Sequence, residues 1–259
     1  MAGLAEPYVV PSTAVASFAA DGFVRLPGVV SPGAAEVLRR RLIALLDSGG
    51  SGSGLRSREM MWREDPLVRA GISAAARRHL GRAARRRRPA PLPRQRARKE
   101  PGAGRTPRHH DAHHFPLASH DVISTWMPLQ AVPAAMGPLA FARGMDAWRR
   151  VDDLAFDKYG TSYDRRVAET FSAAGVEVCD EPFALGDVSF HSTLCFHTAG
   201  ANRSTRSRMV LGATYYADGA RIVDHPTMVS GDWGLFVPDT APGEPATSAH
   251  NPLLELAGR

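Results

Sequence analysis

Histidine residues are concentrated in one short stretch of the chain. Four of the ten histidines lie in residues 109–114, which read His-His-Asp-Ala-His-His. Side chains two residues apart in extended backbone point to the same face, so we expect His109 and Asp111 to converge. One imidazole and one carboxylate are two thirds of the facial triad that holds non-haem Fe(II) and leaves three coordination positions open. For the pair alone, a polar loop with solvated histidines is the simpler explanation.

A third metal ligand must come from a distant part of the chain. Residues 186–208 offer two histidines, His191 and His197. The pattern Thr-Leu-Cys-Phe-His at 193–197 predicts a strand, which would place His197 on the same face as Cys195. Both histidines are candidates at this point.

Arg208 stands at the start of the apolar segment Met-Val-Leu-Gly-Ala-Thr-Tyr-Tyr. A guanidinium with apolar flanks is costly to bury unless it binds an anion. A planar carboxylate is its natural bidentate partner. An aspartate of the protein core could be this partner, and so could the carboxylate of a bound ligand. The sequence therefore predicts a carboxylate next to Arg208, from the protein or from a ligand.

The elements that must position these residues change in character along the chain. Residues 1–80 read mainly as helices: Ser12 is expected to cap a first helix that Gly22 ends, and Ser31 and Asp65 begin two more. The apolar positions of these helices are Val15, Phe18, Val37, Leu38, Leu42, Leu45, Leu46, Leu67, Val68 and Ile72.

From about residue 104 onward, short apolar runs alternate with Gly, Pro, Asn and Asp. Short strands are predicted within residues 120–130, 137–144, 175–185, 186–197 and 207–218. Strands at this density without helices between them favour a barrel or a double-sheet sandwich, with the N-terminal helices packed outside.

The composition is that of a globular protein. Of the 259 residues, 44% are hydrophobic and 22% are charged, so the chain can bury a large core. No stretch approaches the roughly 18 apolar residues of a membrane span, and the first ten residues carry no secretory pattern. Cys179 and Cys195 are the only cysteines, which favours a cytoplasmic location.

The net charge of +6 comes from one segment. Residues 77–99 contain ten Arg and Lys99 but no acidic residue. The run has no aromatic residue for base stacking, so we do not expect a nucleic-acid partner. A shifted reading frame is a second explanation of residues 77–98, because Arg, Pro and Ala have GC-rich codons. The coding DNA read in its other frames tests that hypothesis.

Two blocks of the sequence resemble the phytanoyl-CoA dioxygenase family of Fe(II)/2-oxoglutarate-dependent oxygenases. One is RTPRHHDAHHFPLASHDVISTWMPL (105–129), similar to the family's Thr-Pro-Trp-His-Gln-Asp block and the Trp-bearing strand after it. The other is GDVSFHSTLCFHTAGANRSTRSR (186–208), similar to its Gly-Asp…His…Gly-x-Asn-x-Ser…Arg block. The segment FAADGFVRLPGVVSP (18–32) also resembles the family's entry segment.

The resemblance implies a mainly β fold with flanking helices. This is a double-stranded β-helix, or cupin-like jelly roll, with the N-terminal helices packed on one sheet. We expect one oxygenase domain over residues 1–259, with a mainly helical buttress at 1–80 and a jelly-roll core at 104–259. Two poorly patterned stretches, 149–175 and 224–245, are expected to form lids that select the substrate.

The resemblance also implies roles for single residues. The iron ligands would be His109, Asp111 and His197. Arg208 would bind the distal carboxylate of 2-oxoglutarate, and Trp126 and His110 would line the cosubstrate pocket. A structural role in the turn before Arg208 would fall to Asn202 and Ser204. The remaining histidines of the two blocks, which we expect in the pocket wall or at the surface, are His113, His114, His120 and His191.

Three departures of the sequence from the family pattern bear on the cosubstrate pocket and the fold. His110 stands where the family has Gln, and Arg108 stands where it has Trp. The third departure is the Arg-rich run 77–98, where the family has a strand and further cosubstrate contacts.

The implied reaction uses Fe(II), 2-oxoglutarate and O2 to oxidise an unactivated C–H bond, with succinate and CO2 as coproducts. Hydroxylation, epimerisation or ring closure of a small molecule is expected, whereas halogenation requires a free position that Asp111 fills. The GC-rich codon signature indicates a bacterium in which such enzymes tailor antibiotics and other secondary metabolites.

The alternatives are a fatty acyl-CoA hydroxylase, a cupin-like metal enzyme that ignores 2-oxoglutarate, and a non-catalytic jelly-roll ligand-binding protein. The oligomeric state is left open.

Overall fold

The computed structural model describes residues 8–47, 55–57, 61–83, 90–92, 96–157, 161–226, 233–235 and 237–253. The helices are α1 Ser12–Asp21, α2 Pro32–Asp47, α3 Met61–Glu64, α4 Pro66–Ala83 and α5 Thr161–Ala173. The strands are β1 Phe23–Leu26, β2 Leu55–Ser57, β3 Ala90–Leu92, β4 Arg96–Lys99, β5 Thr106–His109, β6 Val122–Pro128, β7 Leu139–Ala142, β8 Val178–Cys179, β9 Val188–Ser192, β10 His197–Ala199 and β11 Arg208–Tyr216.

Among the described residues these strands form two antiparallel sheets. The larger sheet has the order β1-β9-β6-β11-β4-β2, with β3 also paired to β11. The smaller sheet has the order β5-β10-β7-β8. Neighbouring strands are far apart in sequence, as in the two sheets of a double-stranded β-helix. The predicted fold class is confirmed.

The N-terminal helices pack on the larger sheet, as predicted. Leu38 of α2 and Leu211 of β11 belong to one buried apolar cluster with residues of α4. A Cβ on Gly71 of α4 would lie 3.2 Å from the side chains of both leucines, so glycine lets this helix approach closely. Tyr215 of β11 donates its hydroxyl to the Ile72 carbonyl at 2.8 Å, which ties α4 to the sheet.

Three helix-end signals act as predicted. Gly22 ends α1 in the left-handed conformation, with φ of 80°, and the Ser31 hydroxyl lies 3.4 Å from the Ala34 amide at the start of α2. Asp65 Oδ1 accepts the amide N–H groups of Leu67 and Val68 at 3.0 Å, which caps α4.

The predicted cap of α1 is wrong. Ser12 is the first helical residue, and Pro11 before it makes no side-chain capping bond. With the helix starting there, Ala14 faces the core and Val15 is 46% exposed. Val37 of α2 is likewise exposed, so the inner face of that helix is narrower than its apolar residues suggested.

The predicted strand at residues 193–197 is also wrong. Residues 193–196 form a turn, closed by the Cys195 amide donating to the Ser192 carbonyl at 3.0 Å. The Leu194 amide lies 3.3 Å from the Ser192 hydroxyl, and this local bond competes with a sheet ladder. His197 therefore begins β10 and does not end a strand.

The Arg-rich run takes part in the fold. Its first part continues α4 as far as Ala83, while β3 and β4 both pair with β11. Residues 84–89 and 93–95 lie outside the described residues, and so do residues 227–232 and 236 of the predicted lid at 224–245. The run itself shows no alternation of apolar residues, so apolar patterning does not indicate its pairing with β11.

No helix in the described ranges is long and apolar enough to cross a membrane.

The single domain and its two lids stay predictions. The first lid stretch contains α5, which is tied to β5 because Asp164 accepts the Arg108 amide at 2.7 Å and pairs with Arg105 at 2.6 Å.

Candidate active site

Two histidines from distant stretches are brought together by strand pairing in the smaller sheet. His109 is the last residue of β5 and His197 is the first of β10, and they are direct partners in the antiparallel ladder. Their ring centroids are 4.3 Å apart. Asp111 follows at the start of a short 3-10 helix, Asp111–His114, after one extended residue. All three predicted metal ligands therefore meet at one point.

The three side chains have the geometry of a metal site. One potential ligand atom from each lies within 4.8 Å of the others, and all three residues are buried. The Oδ1 atom of Asp111 is 3.8 Å from Nε2 of His109 and 3.8 Å from Nε2 of His197. An ion between these atoms would be bound by two imidazoles and one carboxylate.

The protonation of the two rings suits metal binding. His109 Nδ1 lies 2.8 Å from the Pro107 carbonyl, and His197 Nδ1 lies 3.0 Å from the Cys195 carbonyl. A carbonyl only accepts, so Nδ1 carries the proton when either ring is neutral, and the Nε2 lone pair is then available to a cation bound by Asp111. The donor set therefore fits a divalent metal ion such as Fe(II).

Asp111 is held in its charged form. Burial alone would raise the pKa of Asp111, but the imidazoles of His197, His191 and His109 outweigh burial and hold it well below its usual value. A carboxylate that stays ionised in a buried position is suited to binding a cation.

A cavity extends from the three side chains into the space between the sheets. It is lined by Arg98, Lys99, Thr106, His109, Asp111, Ser124, Thr125, Trp126, Leu139, His191, His197, Ala199, Arg208, Val210, Gly212, Ala213 and Thr214. Arg208 is only 6% exposed, and its guanidinium carbon is 5.3 Å from the centroid of the Trp126 ring. The predicted anion anchor and the predicted pocket residue thus share the cavity with the three candidate ligands.

A glycine fixes the orientation of Arg208. The Arg208 guanidinium donates to the carbonyl of Gly137. Gly137 has φ of 70°, and a Cβ there would overlap the Gly200 carbonyl. Only glycine fits this close approach of two loops. Packing therefore fixes the carbonyl that accepts the Arg208 hydrogen bond.

Asn202 braces the turn that leads to Arg208, in the structural role implied for it. Its side-chain amide donates to the carbonyls of Lys99 and Arg206 at 3.0 and 2.8 Å. Its oxygen accepts the Ser204 hydroxyl at 2.7 Å. These contacts join β4 to the turn before β11.

His110 is placed away from the cavity, contrary to the expectation that it lines the cosubstrate pocket. The backbone at His110 is extended, so its ring points to the side opposite His109 and Asp111. The ring stacks on His113 at 4.2 Å and meets the edge of Phe196 at 5.0 Å. Burial lowers the pKa of His110 to about 3, so this ring is neutral at neutral pH.

The sequence pattern assigns no contact with the site to Lys99 or Ser124, and it places His191 only in the pocket wall or at the surface. Lys99 is 2% exposed, and its ammonium donates to the Gly200 carbonyl at 2.7 Å. Lys99 is the ladder partner of Arg208, so two cations line the same end of the cavity. Ser124 and His191 contact Asp111 from the larger sheet. Their positions depend on strand register, which the spacing of residues along the chain does not reveal.

Residues 18–210 match the family model described as Phytanoyl-CoA dioxygenase (PhyH). No curated protein sequence matches the chain.

Solved structures share the fold at low sequence identity. The non-heme alpha-ketoglutarate-dependent carbocyclase SnoK from nogalamycin biosynthesis is 22% identical, with a TM-score of 0.74 over 96% of this chain and 100% of that one. The epimerase SnoN, in complex with Fe3+, alpha-ketoglutarate and nogalamycin RO, is 22% identical, with a TM-score of 0.72 over 94% of this chain and 98% of that one. HygX from Streptomyces hygroscopicus, with nickel and 2-oxoglutarate bound, is 13% identical, with a TM-score of 0.59 over 81% of this chain and 88% of that one.

Proposed function

Because the chain belongs to the phytanoyl-CoA dioxygenase family of Fe(II)- and 2-oxoglutarate-dependent enzymes, we propose that it oxidises a C–H bond of a small molecule in the tailoring of a natural product. The reaction is a hydroxylation or the related epimerisation or ring closure. The observation that carries the proposal is the convergence of three buried donors, His109, Asp111 and His197, beside a cavity that also holds Arg208.

His109, Asp111 and His197 are the proposed ligands of the iron. Two imidazoles and one carboxylate would leave open positions on such an ion for the cosubstrates. When bound, iron with these cosubstrates supplies the oxidising power that breaks an unactivated C–H bond. The contribution of the chain is a fixed arrangement of donors, with Nδ1–H of both rings already engaged by backbone carbonyls.

Arg208 is the proposed anchor of the distal carboxylate of 2-oxoglutarate. Its guanidinium can form two parallel hydrogen bonds to a carboxylate, and Lys99 adds a second positive charge to the same end of the cavity. Trp126 packs beside the buried guanidinium, and burial strengthens the attraction for an anion. The contact of Arg208 with Gly137 sets the direction in which the guanidinium points.

The first predicted lid supplies an aromatic side chain close to the proposed ligands. Phe156 stacks on His113, with ring centroids 4.6 Å apart, and meets the edge of His114 at 5.7 Å. His114 in turn lies 5.6 Å from the ring of His109. The proposed lid, residues 149–175, thus packs against the segment that carries two of the proposed ligands, His109 and Asp111.

Natural-product tailoring is favoured over the other candidate substrates. SnoK and SnoN, both from nogalamycin biosynthesis, match the chain over nearly its whole length. Asp111 occupies the ligand position that a halogenating enzyme leaves for chloride. The fatty acyl-CoA alternative depends on the Arg-rich run 77–98, whose side chains before Arg98 lie outside the described ones. Arg98 itself is paired with Asp47 and Glu100.

Anaerobic titration with Fe(II) and 2-oxoglutarate tests the proposed site. We expect a weak visible charge-transfer band for the wild-type protein. The band should be lost in His197→Ala, which removes a ligand, and weakened in Arg208→Ala, which removes the carboxylate anchor. Arg203→Ala is the matched control, because Arg203 is an exposed arginine in the loop that precedes Arg208.

The alternatives predict different results in that titration. A cupin-like metal enzyme would bind the metal but give no band with 2-oxoglutarate, and a non-catalytic binding protein would bind neither. A band of equal strength in Arg208→Ala and wild type would contradict the assigned anchor. In air, succinate release that rises with one member of a natural-product panel, and not with acyl-CoA, would identify the substrate class.

A further inference from the structure

A row of polar side chains on the larger sheet crosses three neighbouring strands beside Asp111. Ser124 of β6 is the direct ladder partner of His191 of β9 on one side and of Thr214 of β11 on the other. Opposed residues on neighbouring strands project to the same face, and all three are buried. We call His191, Ser124 and Thr214 the polar row.

The polar row contacts only one of the two oxygens of Asp111. Ser124 donates its hydroxyl to Oδ2 at 2.9 Å, and His191 Nε2 lies 3.6 Å from the same atom. The other oxygen, Oδ1, is the one that lies 3.8 Å from Nε2 of both His109 and His197. The two oxygens of the carboxylate therefore have separate surroundings.

The hydrogen atoms of the row are directed at Asp111. His191 Nδ1 is buried and has no hydrogen-bond partner among the described residues, so the ring proton belongs on Nε2, where it faces the carboxylate. The Ser124 hydroxyl lies 3.1 Å from the Thr214 hydroxyl. Since the Ser124 proton goes to Asp111, Thr214 must donate to Ser124. Ser124 and His191 thus each direct a proton at Oδ2, and Thr214 donates to Ser124.

We infer that the polar row positions Asp111 as a one-oxygen metal ligand. With Oδ2 hydrogen-bonded to Ser124 and facing Nε2 of His191, only Oδ1 would bind a metal held by His109 and His197, and Oδ2 would be kept from taking a further coordination position. Ser124 and His191 act through Asp111, so they are positioning residues and not ligands. The inference rests on the proposed metal site.

The test compares metal binding by variants that remove or keep a donor to Oδ2. Ser124→Ala and His191→Leu remove one, whereas His191→Gln keeps an N–H of similar reach. Ser189→Ala is the control, because Ser189 is a fully buried hydroxyl two residues from His191 on the same face of β9. The measurements are Co(II) affinity by calorimetry and the Co(II) d–d absorption spectrum, both under anaerobic conditions without substrate.

We expect Ser124→Ala and His191→Leu to bind Co(II) about 10- to 100-fold more weakly, as is usual when a partner of a metal ligand is lost. Their d–d spectra should change as well, because the carboxylate can then rotate. His191→Gln should recover most of the affinity, and Ser189→Ala should match the wild type. The Leu and Gln variants both keep a side chain of about the size of histidine, so this pair decides the question even if Ser124→Ala does not fold.

Two outcomes would count against the inference, and they differ from a failure of the proposed function. If both donor-deleting variants keep the wild-type affinity and spectrum, the orientation of Asp111 does not depend on the polar row. If Ser189→Ala or His191→Gln loses as much affinity as His191→Leu, the effect is one of packing and the inference is wrong. Failure of the wild type itself to bind Co(II) would instead overturn the proposed metal site.

Discussion

Both proposed histidine ligands are oriented by the carbonyl of the residue two positions before them. Pro107 serves His109, and Cys195 serves His197. The orienting groups belong to the backbone, so the direction of each Nε2 lone pair depends on the conformation of the chain more than on the neighbouring side chains. Substitutions that keep the backbone of β5 and of the turn before β10 should leave the two rings in place.

Gly137 is the residue whose replacement has the clearest steric consequence. We expect Gly137→Ala to lower the free energy of unfolding by more than the roughly 1–2 kcal/mol that a left-handed backbone costs a residue with a Cβ, because the Cβ would also overlap the Gly200 carbonyl. The displaced loop should weaken the Arg208 contact and raise the KM for 2-oxoglutarate.

Gly102→Ala provides the control for that prediction. Gly102 has φ of 78°, and a Cβ there would meet nothing within 4 Å, so it isolates the backbone cost. Denaturant unfolding of the two variants measures the difference. Equal destabilisation of both would show that the approach of the two loops does not constrain residue 137.

At the scale of single elements, the start of α4 depends on Asp65. Burial would raise the pKa of Asp65, but the amide of Val68 and the guanidinium of Arg41 outweigh it and lower the pKa. Because the folded-state pKa is below the unfolded value of about 3.9, this stabilisation is present above pH 4. It is lost as the pH falls through the folded-state pKa.

Two substitutions separate the cap from the charge of Asp65. We expect Asp65→Ala to lower the free energy of unfolding by about 1–2 kcal/mol at neutral pH. Asp65→Asn keeps an oxygen that can accept the capping hydrogen bonds, so its free energy of unfolding should fall by less. The stability gap between wild type and Asp65→Asn should narrow as the pH is lowered below 4, as followed by urea unfolding. A difference in stability that does not change with pH would contradict a contribution from the charge of Asp65.

Elements with a local signal could be predicted from the sequence, and those that depend on register could not. Asp65 and Gly22 act on residues a few positions away, so their roles can be seen in the chain itself. The turn at residues 193–196 was missed because Ser192 offers local hydrogen bonds that apolar alternation ignores. The contact of Ser124 and His191 with Asp111 depends on how β6 aligns with β9, and no residue near either one reports that alignment.

At the scale of the whole molecule, the proposed site joins segments that are far apart in the chain. Any ligand that binds only the folded state stabilises it by mass action. Co(II) at about 100 times its dissociation constant should add about 2.7 kcal/mol to the free energy of unfolding. For a protein of this size that is a rise in Tm of about 5–10 °C.

Differential scanning calorimetry with and without Co(II), in the absence of oxygen, measures this shift. His197→Ala should show no rise, and Arg203→Ala should behave as the wild type does. A full shift in His197→Ala would place the metal elsewhere in the protein.

The ladder partnership of His109 and His197 has one more consequence. Backbone hydrogen bonds already hold these two residues side by side, so an arriving ion does not have to gather separate pieces of chain. Most of the entropy of bringing them together has been lost during folding. Metal exchange can therefore proceed by movement of side chains, while the strands that carry them stay paired.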